Sequence, residues 1–323
     1  MGADRMRALL VGILASSVAP SFAEEVCTLK RVAQIPFETD ETAHIYIPAT
    51  VGGQPTRLVL DTGAYWSAIH EDLARTLDLK FRTARNFWLV DLAGEKMDQY
   101  VTIDEMTLGQ IVYGLPVDFF IERSASASSI ENRGGTLGIN FIARMDLEID
   151  NAGKTVSLFS QDHCKGAGVY WTNEAVVLQF NRQERDIPTG TRIRTQRDYE
   201  PINMPVVGAE LEGEPVRALL DTGSTVTLIA LDHAKRRFGI EPGSPGVQPA
   251  GVAHLPSGAT VNLYSYTFES LTISGIRFEN IPVHLGEFEE TELILGMHEL
   301  KHLRLYFVFQ DGMIHITAAD AGR

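Results

Sequence analysis

The sequence predicts an all-β chain built as two copies of one lobe, with a few short helices, and three observations carry that prediction. The stretch Leu58-Val59-Leu60-Asp61-Thr62-Gly63-Ala64 returns as Ala218-Leu219-Leu220-Asp221-Thr222-Gly223-Ser224. The match continues at the same offset of 160 residues: Pro55 meets Pro215, Arg57 meets Arg217, Ile69 meets Ile229 and Asp72 meets Asp232. In both halves, alternating β-branched and apolar residues broken by Gly-containing turns mark hairpins rather than helices. The length of 323 residues also exceeds a usual single core and suits two lobes.

From the start of the chain, Arg5 and Arg7 precede the apolar run Ala8 to Ala15, and Ser21-Phe22-Ala23 supplies the small residues of a cleavage site. Residues 1–23 therefore read as a signal peptide of an exported, periplasmic or secreted protein. The run is shorter than the roughly 20 residues a spanning helix needs, and no later stretch reaches that length, so no membrane span is expected. Cys27 and Cys164 stand just before the first lobe and just after it. An exported compartment permits a disulfide between them, with two separate buried thiols as the alternative. Residues 24–160 form the first lobe, 161–198 a linker, and 199–323 the second lobe.

Within the first lobe, Ile45-Tyr46-Ile47-Pro48, a turn at Gly52-Gly53 and the strand into Asp61 form a hairpin. Aligning Ile202-Asn203-Met204-Pro205 with the same start gives the second copy three more residues before Asp221. Helical patterns follow each acid, Ile69 to Leu79 and Ile229 to Phe238, with acidic residues early and basic ones late. Next come a hairpin from Phe87 to Val101 turning at Ala93-Gly94, and its equivalent from Val252 to Tyr264 turning at Ser257-Gly258. Strand-turn-strand units at Met106 to Ile111 and Leu271 to Ile276 repeat as well. Each copy closes on a hairpin, around Asn151-Ala152-Gly153 and Gln310-Asp311-Gly312. The linker carries Arg182, Arg185, Arg192, Arg194 and Arg197 and reads as a solvated connection with one or two strands.

Two Asp-Thr-Gly-(Ala/Ser) loops, each followed by an apolar-Leu-Gly-apolar segment whose glycine, Gly138 or Gly296, lies 77 or 75 residues after its acid, resemble the aspartic peptidases, both retroviral-type and pepsin-like. The resemblance covers about residues 43–160 and 199–317. Ala64 follows the retroviral pattern and Ser224 stands closer to the pepsin one, so the chain looks like a fused dimer of retroviral-type lobes, acting as a monomer. The resemblance implies closed, barrel-like lobes with the active site at their interface, a peptide or protein substrate, and no cofactor or metal. It also implies catalysis by Asp61 and Asp221, with Thr62 and Thr222 bridging the loops, Gly63 and Gly223 allowing close approach, and Ala64 and Ser224 completing the loops. The first-lobe hairpin at Ala93-Gly94 would be a flap over the substrate.

The chemistry fits the residue types. Two facing carboxylates cannot both ionise easily, so the pair tends to hold one proton. One member then serves as base toward a shared water while the other donates to the scissile carbonyl. The net charge of −14, one unit more negative without the signal peptide, argues against a nucleic-acid partner. Two rival readings remain in view. His298-Glu299-Leu300-Lys301-His302 has the spacing of a zinc peptidase helix, yet it occupies the place of Asn140 to Arg144 in the first copy, and no third ligand is identifiable. A catalytically silent peptide-binding protein on the same scaffold is the second rival, since a fold does not itself confer activity.

Overall fold

The computed structural model describes residues 29–85, 88–114, 116–123, 131–161, 168–180, 204–288 and 292–322. Residues 1–23, both Cys27 and Cys164, and the linker arginines fall outside the described residues. The described chain is built on strands, and among the described residues no helix is long and apolar enough to cross a membrane.

Each lobe threads its acid through the same arrangement. In the first, Ile45–Val51 and Gln54–Leu60 form a hairpin in which Thr56, Leu58 and Leu60 point into the core. The alternate side chains, Val59 and then Asp61, face the cleft. Arg133–Leu137 runs parallel to Gln54–Leu60, pairing Thr136 with Val59, and antiparallel to Ala68–His70, the strand that leaves the acid loop. The second lobe repeats this with Glu214–Leu220, Leu293–Leu295 and Thr227–Ala230. There the pairing of Glu210 and Leu211 with Thr272 and Leu271 closes a six-stranded barrel. The first-lobe sheet instead follows an open path from Ile111–Tyr113 to Arg82–Thr83.

Two details differ from the sequence reading. The two leading hairpins have equal turns, Gly52-Gly53 and Glu212-Gly213, all four at positive φ. This is the geometry of a two-residue turn between twisted strands. The second hairpin thus holds no extra residues, and the Ile-x-x-Pro match that implied them is a coincidence. At the constant offset of 160, Pro48 meets Gly208 and His44 meets Met204. The helices also begin later than expected, at Glu71–Thr76 and Leu231–Phe238. Ile69 and Ile229 instead lie within buried strands, Ala68–His70 and Thr227–Ala230, pairing in parallel with Ile121 and Leu285. Gly239, in the left-handed region at φ 68°, stops the second helix.

The lobes share a third sheet. Its order is Arg31–Pro36, Thr155–Phe159, Asp146–Asp150, Leu303–Val308, Met313–Ala318, Val176–Gln179, with Leu147 against Phe307 and Ile149 against Leu305 across the lobe boundary. Leu147, Ile149, Leu305 and Phe307 face the common core. The opposite face buries an ion pair, Arg304 to Glu148 at 2.9 Å through Nε, with Tyr170 hydrogen-bonded to both and Trp171 stacked 4.0 Å from the guanidinium. This platform fixes the angle between the lobes and so positions the two acids.

Candidate active site

Each acid loop is held by its own lobe and by its twin. Within the first lobe the Asp61 N–H donates to the Leu137 carbonyl at 3.1 Å, and the Ile139 N–H to Ala64 at 2.8 Å. The second lobe repeats both contacts, Asp221 to Leu295 at 3.0 Å and Met297 to Ser224 at 2.8 Å. Between the lobes, Thr62 Oγ1 donates to the Leu220 carbonyl at 2.6 Å and accepts the Thr222 N–H at 3.1 Å. Thr222 Oγ1 returns both bonds, to Leu60 at 2.6 Å and from Thr62 at 3.1 Å. Both threonines are fully buried.

This grip brings the Asp61 and Asp221 carboxyl groups together across the lobe boundary. Gly63 and Gly223 are the surfaces the opposing acids rest on. A Cβ built on Gly63 would lie 2.2 Å from Asp221 Cγ, and one on Gly223 2.2 Å from Asp61 Cγ, so neither position admits a side chain. Asp61 Oδ1 accepts the N–H groups of Gly63 and Ala64 at 2.8 and 2.7 Å. Asp221 Oδ1 accepts that of Gly223 at 2.8 Å. The Ser224 hydroxyl turns away from the acids, to the Val226 carbonyl at 2.7 Å.

Burial is the largest influence on both acids and raises both. For Asp61 the charge of Asp221 adds to the rise, to well above the usual carboxylate range. For Asp221 the hydrogen bond from Asp61, the loop N–H groups and the positive His44 ring all act the other way. Both shifts favour a pair that holds one proton between its two members.

Several participants have no trace in the duplicated motif. His44 reaches from the first lobe to the second: its Nε2 lies 3.1 Å from the Gly223 carbonyl and its Nδ1 3.3 Å from Asp40 Oδ2. Both ring nitrogens face acceptors, an arrangement fully satisfied by the doubly protonated ring. Asp40 is itself fixed by the hydroxyls of Thr42 and Tyr46 and by the N–H of His44. Ser67 and Thr227 support the glycine segments: their hydroxyls accept the N–H of Gly138 and Gly296 at 3.0 and 3.2 Å and donate to Asn140 and Glu299. That pair does carry a sequence signal, two hydroxyl residues at the offset of 160.

The second of these contacts occupies Glu299. It is buried, hydrogen-bonded to Thr227 and 2.7 Å from His298 Nδ1. The helix Met297–Leu300 ends before His302, so the two histidines do not share a continuous helical turn. No group of three His, Cys, Asp or Glu side chains placed to hold a metal occurs among the described residues.

The acids form the floor of a cleft of about 470 Å³ lined from both lobes, within the range of ligand-binding clefts. Over it lie the hairpin of Leu89–Val90 and Lys96–Met97 from the first lobe and the turn between Gln248–His254 and Thr260–Ile273 from the second. The second-lobe turn reaches across, its Pro256 carbonyl accepting the Arg123 N–H at 2.8 Å. Trp88 and Tyr100 do not line the cleft.

Two lobes, a mutual threonine grip and a carboxylate pair at the floor of the interlobe cleft define the architecture of an aspartyl protease. Residues 47–141 match a family described as aspartyl protease, and residues 207–302 one described as gag-polyprotein putative aspartyl protease. The fold is similar to that in the crystal structure of aspartic proteinase from Irpex lacteus, with a TM-score of 0.51 and 13% identity over 90% of this chain and 98% of that one. None of the curated proteins matches the sequence. Both lobes thus match aspartyl protease families, and the chain belongs to the aspartyl proteases in a two-lobed form.

Proposed function

We propose that this protein is an aspartic endopeptidase that hydrolyses peptide bonds with a water held between Asp61 and Asp221. The observation that carries the reading is the half-buried carboxylate pair, one acid from each lobe, held together on the floor of the cleft. Ionised Asp221 takes a proton from the water as its oxygen bonds to the scissile carbonyl carbon, and Asp61 gives its proton to the carbonyl oxygen. The resulting tetrahedral diol collapses as its carbon–nitrogen bond breaks. Asp221 passes its proton to the leaving nitrogen, and Asp61 recovers one from a diol hydroxyl. No covalent enzyme intermediate arises. The sequence features at residues 1–23 support an exported protein, and the fused lobes support a monomer, since one chain supplies both acids.

Asp61→Asn and Asp221→Asn should each abolish cleavage of a denatured protein substrate while leaving the circular dichroism spectrum intact. An amide keeps the shape of the acid but cannot share its proton. The two losses should not add, because either change destroys the unit. Substantial turnover by either folded variant would overturn the two-carboxylate mechanism.

A further inference from the structure

Beside Asp61 the cleft has a feature the hydrolysis does not use: two acidic side chains set in an apolar wall. Val59 shares a strand face with Asp61, and Thr136 is paired with Val59. Thr136 Oγ1 donates at 3.1 Å to Glu122 Oε2, so Glu122 sits on the wall that leads directly to the acid. Its side chain is only 14% exposed, and it is one of the residues that line the cleft. Asp91, in the first-lobe hairpin, is 4% exposed and lines the same cleft. Its Oδ1 holds the turn by accepting the N–H groups of Ala93 and Glu95. Its Oδ2 is buried and has no hydrogen-bond partner among the described residues. A buried carboxylate oxygen without a donor is costly and rarely left so. The surrounding wall is apolar: Trp66, Leu89 and Met97 belong to one packed cluster.

We infer that this part of the cleft is a subsite for a basic substrate side chain, lysine or arginine, whose methylene stem lies on Trp66, Leu89 and Met97 and whose cationic head is received by Glu122 and Asp91. Long basic side chains suit such a pocket because the stem is apolar and only the tip is charged. Other charges near Glu122 do not fill the role. His70 Nε2 is 4.0 Å from Oε1, and burial holds that ring neutral, down to about 4. Arg133 favours the ionised carboxylate by its charge, yet burial still pushes Glu122 up to about 7. A substrate cation beside Glu122 would complete what Arg133 leaves undone.

The inference rests on the peptidase reading, and two measurements keep the two apart. In the first, the wild-type enzyme digests a peptide mixture and the cleavage sites are sequenced. Lys and Arg should dominate one position flanking the cut, and the ratio of kcat/KM for a lysine peptide over its norleucine analogue should fall about tenfold in E122Q and in D91N, as expected for loss of a charged hydrogen bond. Cleavage without basic enrichment, or an unchanged ratio in both variants, overturns the subsite and leaves the peptidase standing. Absence of all cleavage counts against the peptidase reading alone. The second measurement then decides the subsite: the wild-type protein should bind the lysine peptide about tenfold more tightly than the norleucine peptide by calorimetry, and equal affinities overturn the inference.

Discussion

Thr222→Val tests whether the threonine grip joins the lobes. Valine reproduces the shape of threonine but removes the donor to the Leu60 carbonyl and the acceptor of the Thr62 N–H, bonds of 2.6 and 3.1 Å in a fully buried setting. Each orphaned group costs about 1–3 kcal/mol, or about 2–6 kcal/mol together. Burying a methyl in place of the hydroxyl returns about 0.8 kcal/mol. The net loss of roughly 1–5 kcal/mol is a large part of the 5–15 kcal/mol typical of a folded domain. Thr222→Ser keeps both bonds and should lose only about 1 kcal/mol, for the missing methyl. Urea unfolding followed by circular dichroism gives the stabilities, and kcat/KM on a peptide substrate should fall in the same order. Thr62→Val should behave like Thr222→Val, and the double variant should cost less than the sum because the groups share one interface. A Thr222→Val protein within about 0.5 kcal/mol of wild type, a change expected at an ordinary surface position, would refute the grip as an energetic link.

Gly63→Ala places a methyl 2.2 Å from Asp221 Cγ, so the acids must separate. A displacement near 1 Å costs about a hundredfold in rate, which kcat/KM of the folded variant would register. His44→Gln retains a donor toward the Gly223 carbonyl but removes the positive charge that lowers Asp221. The acid limb of the pH profile should therefore move to higher pH, and an unmoved limb would mean that His44 acts only as a strut. Glu122→Gln should alter the pH dependence of stability. Burial raises Glu122 from 4.5 to about 7, so the folded state binds the extra proton and stability falls as pH rises through that window, by at most about 3 kcal/mol. His70 has the opposite sign: it stays neutral in the fold down to about 4, and stability is gained as pH rises from about 4 to 6.5. The wild type should be nearly flat where the windows overlap, while the Gln variant should climb there. A difference curve that does not grow between pH 4.5 and 7, in urea melts across that range, would remove burial as the controlling force on Glu122.

What the sequence made legible was whatever the duplication wrote twice. Two apolar runs ending in Asp-Thr-Gly fix a strand, a turn and a carboxylate locally, and their repetition implies a partner. Ser67 and Thr227 obeyed the same rule and were open to the same reading. The leading-hairpin error had a physical origin: Ile-x-x-Pro matched by chance, whereas the two-residue turns at positive φ set the register. The shared six-stranded sheet was not legible. Its strands look like any closing hairpin, and alternation reports which face is buried but not which distant strand it pairs with.

His44, Asp91 and Glu122 escaped for a different reason, since each belongs to one lobe only. His44 stands where the second copy has Met204, and nothing in its neighbourhood in sequence points to Gly223, 179 residues away. A symmetric grip can hold two carboxylates together but gives no preference for which one keeps the proton. That preference requires a departure from symmetry, and the cleft provides one on each side of the pair. His44, linked to the Asp221 loop, lowers that acid by its charge, and two acidic side chains in the first-lobe wall beside Asp61 distinguish that half of the cleft from the second. On the peptidase and subsite readings proposed above, the residues that break the repeat are where proton placement and substrate choice would reside, while those that keep it build the two matching lobes.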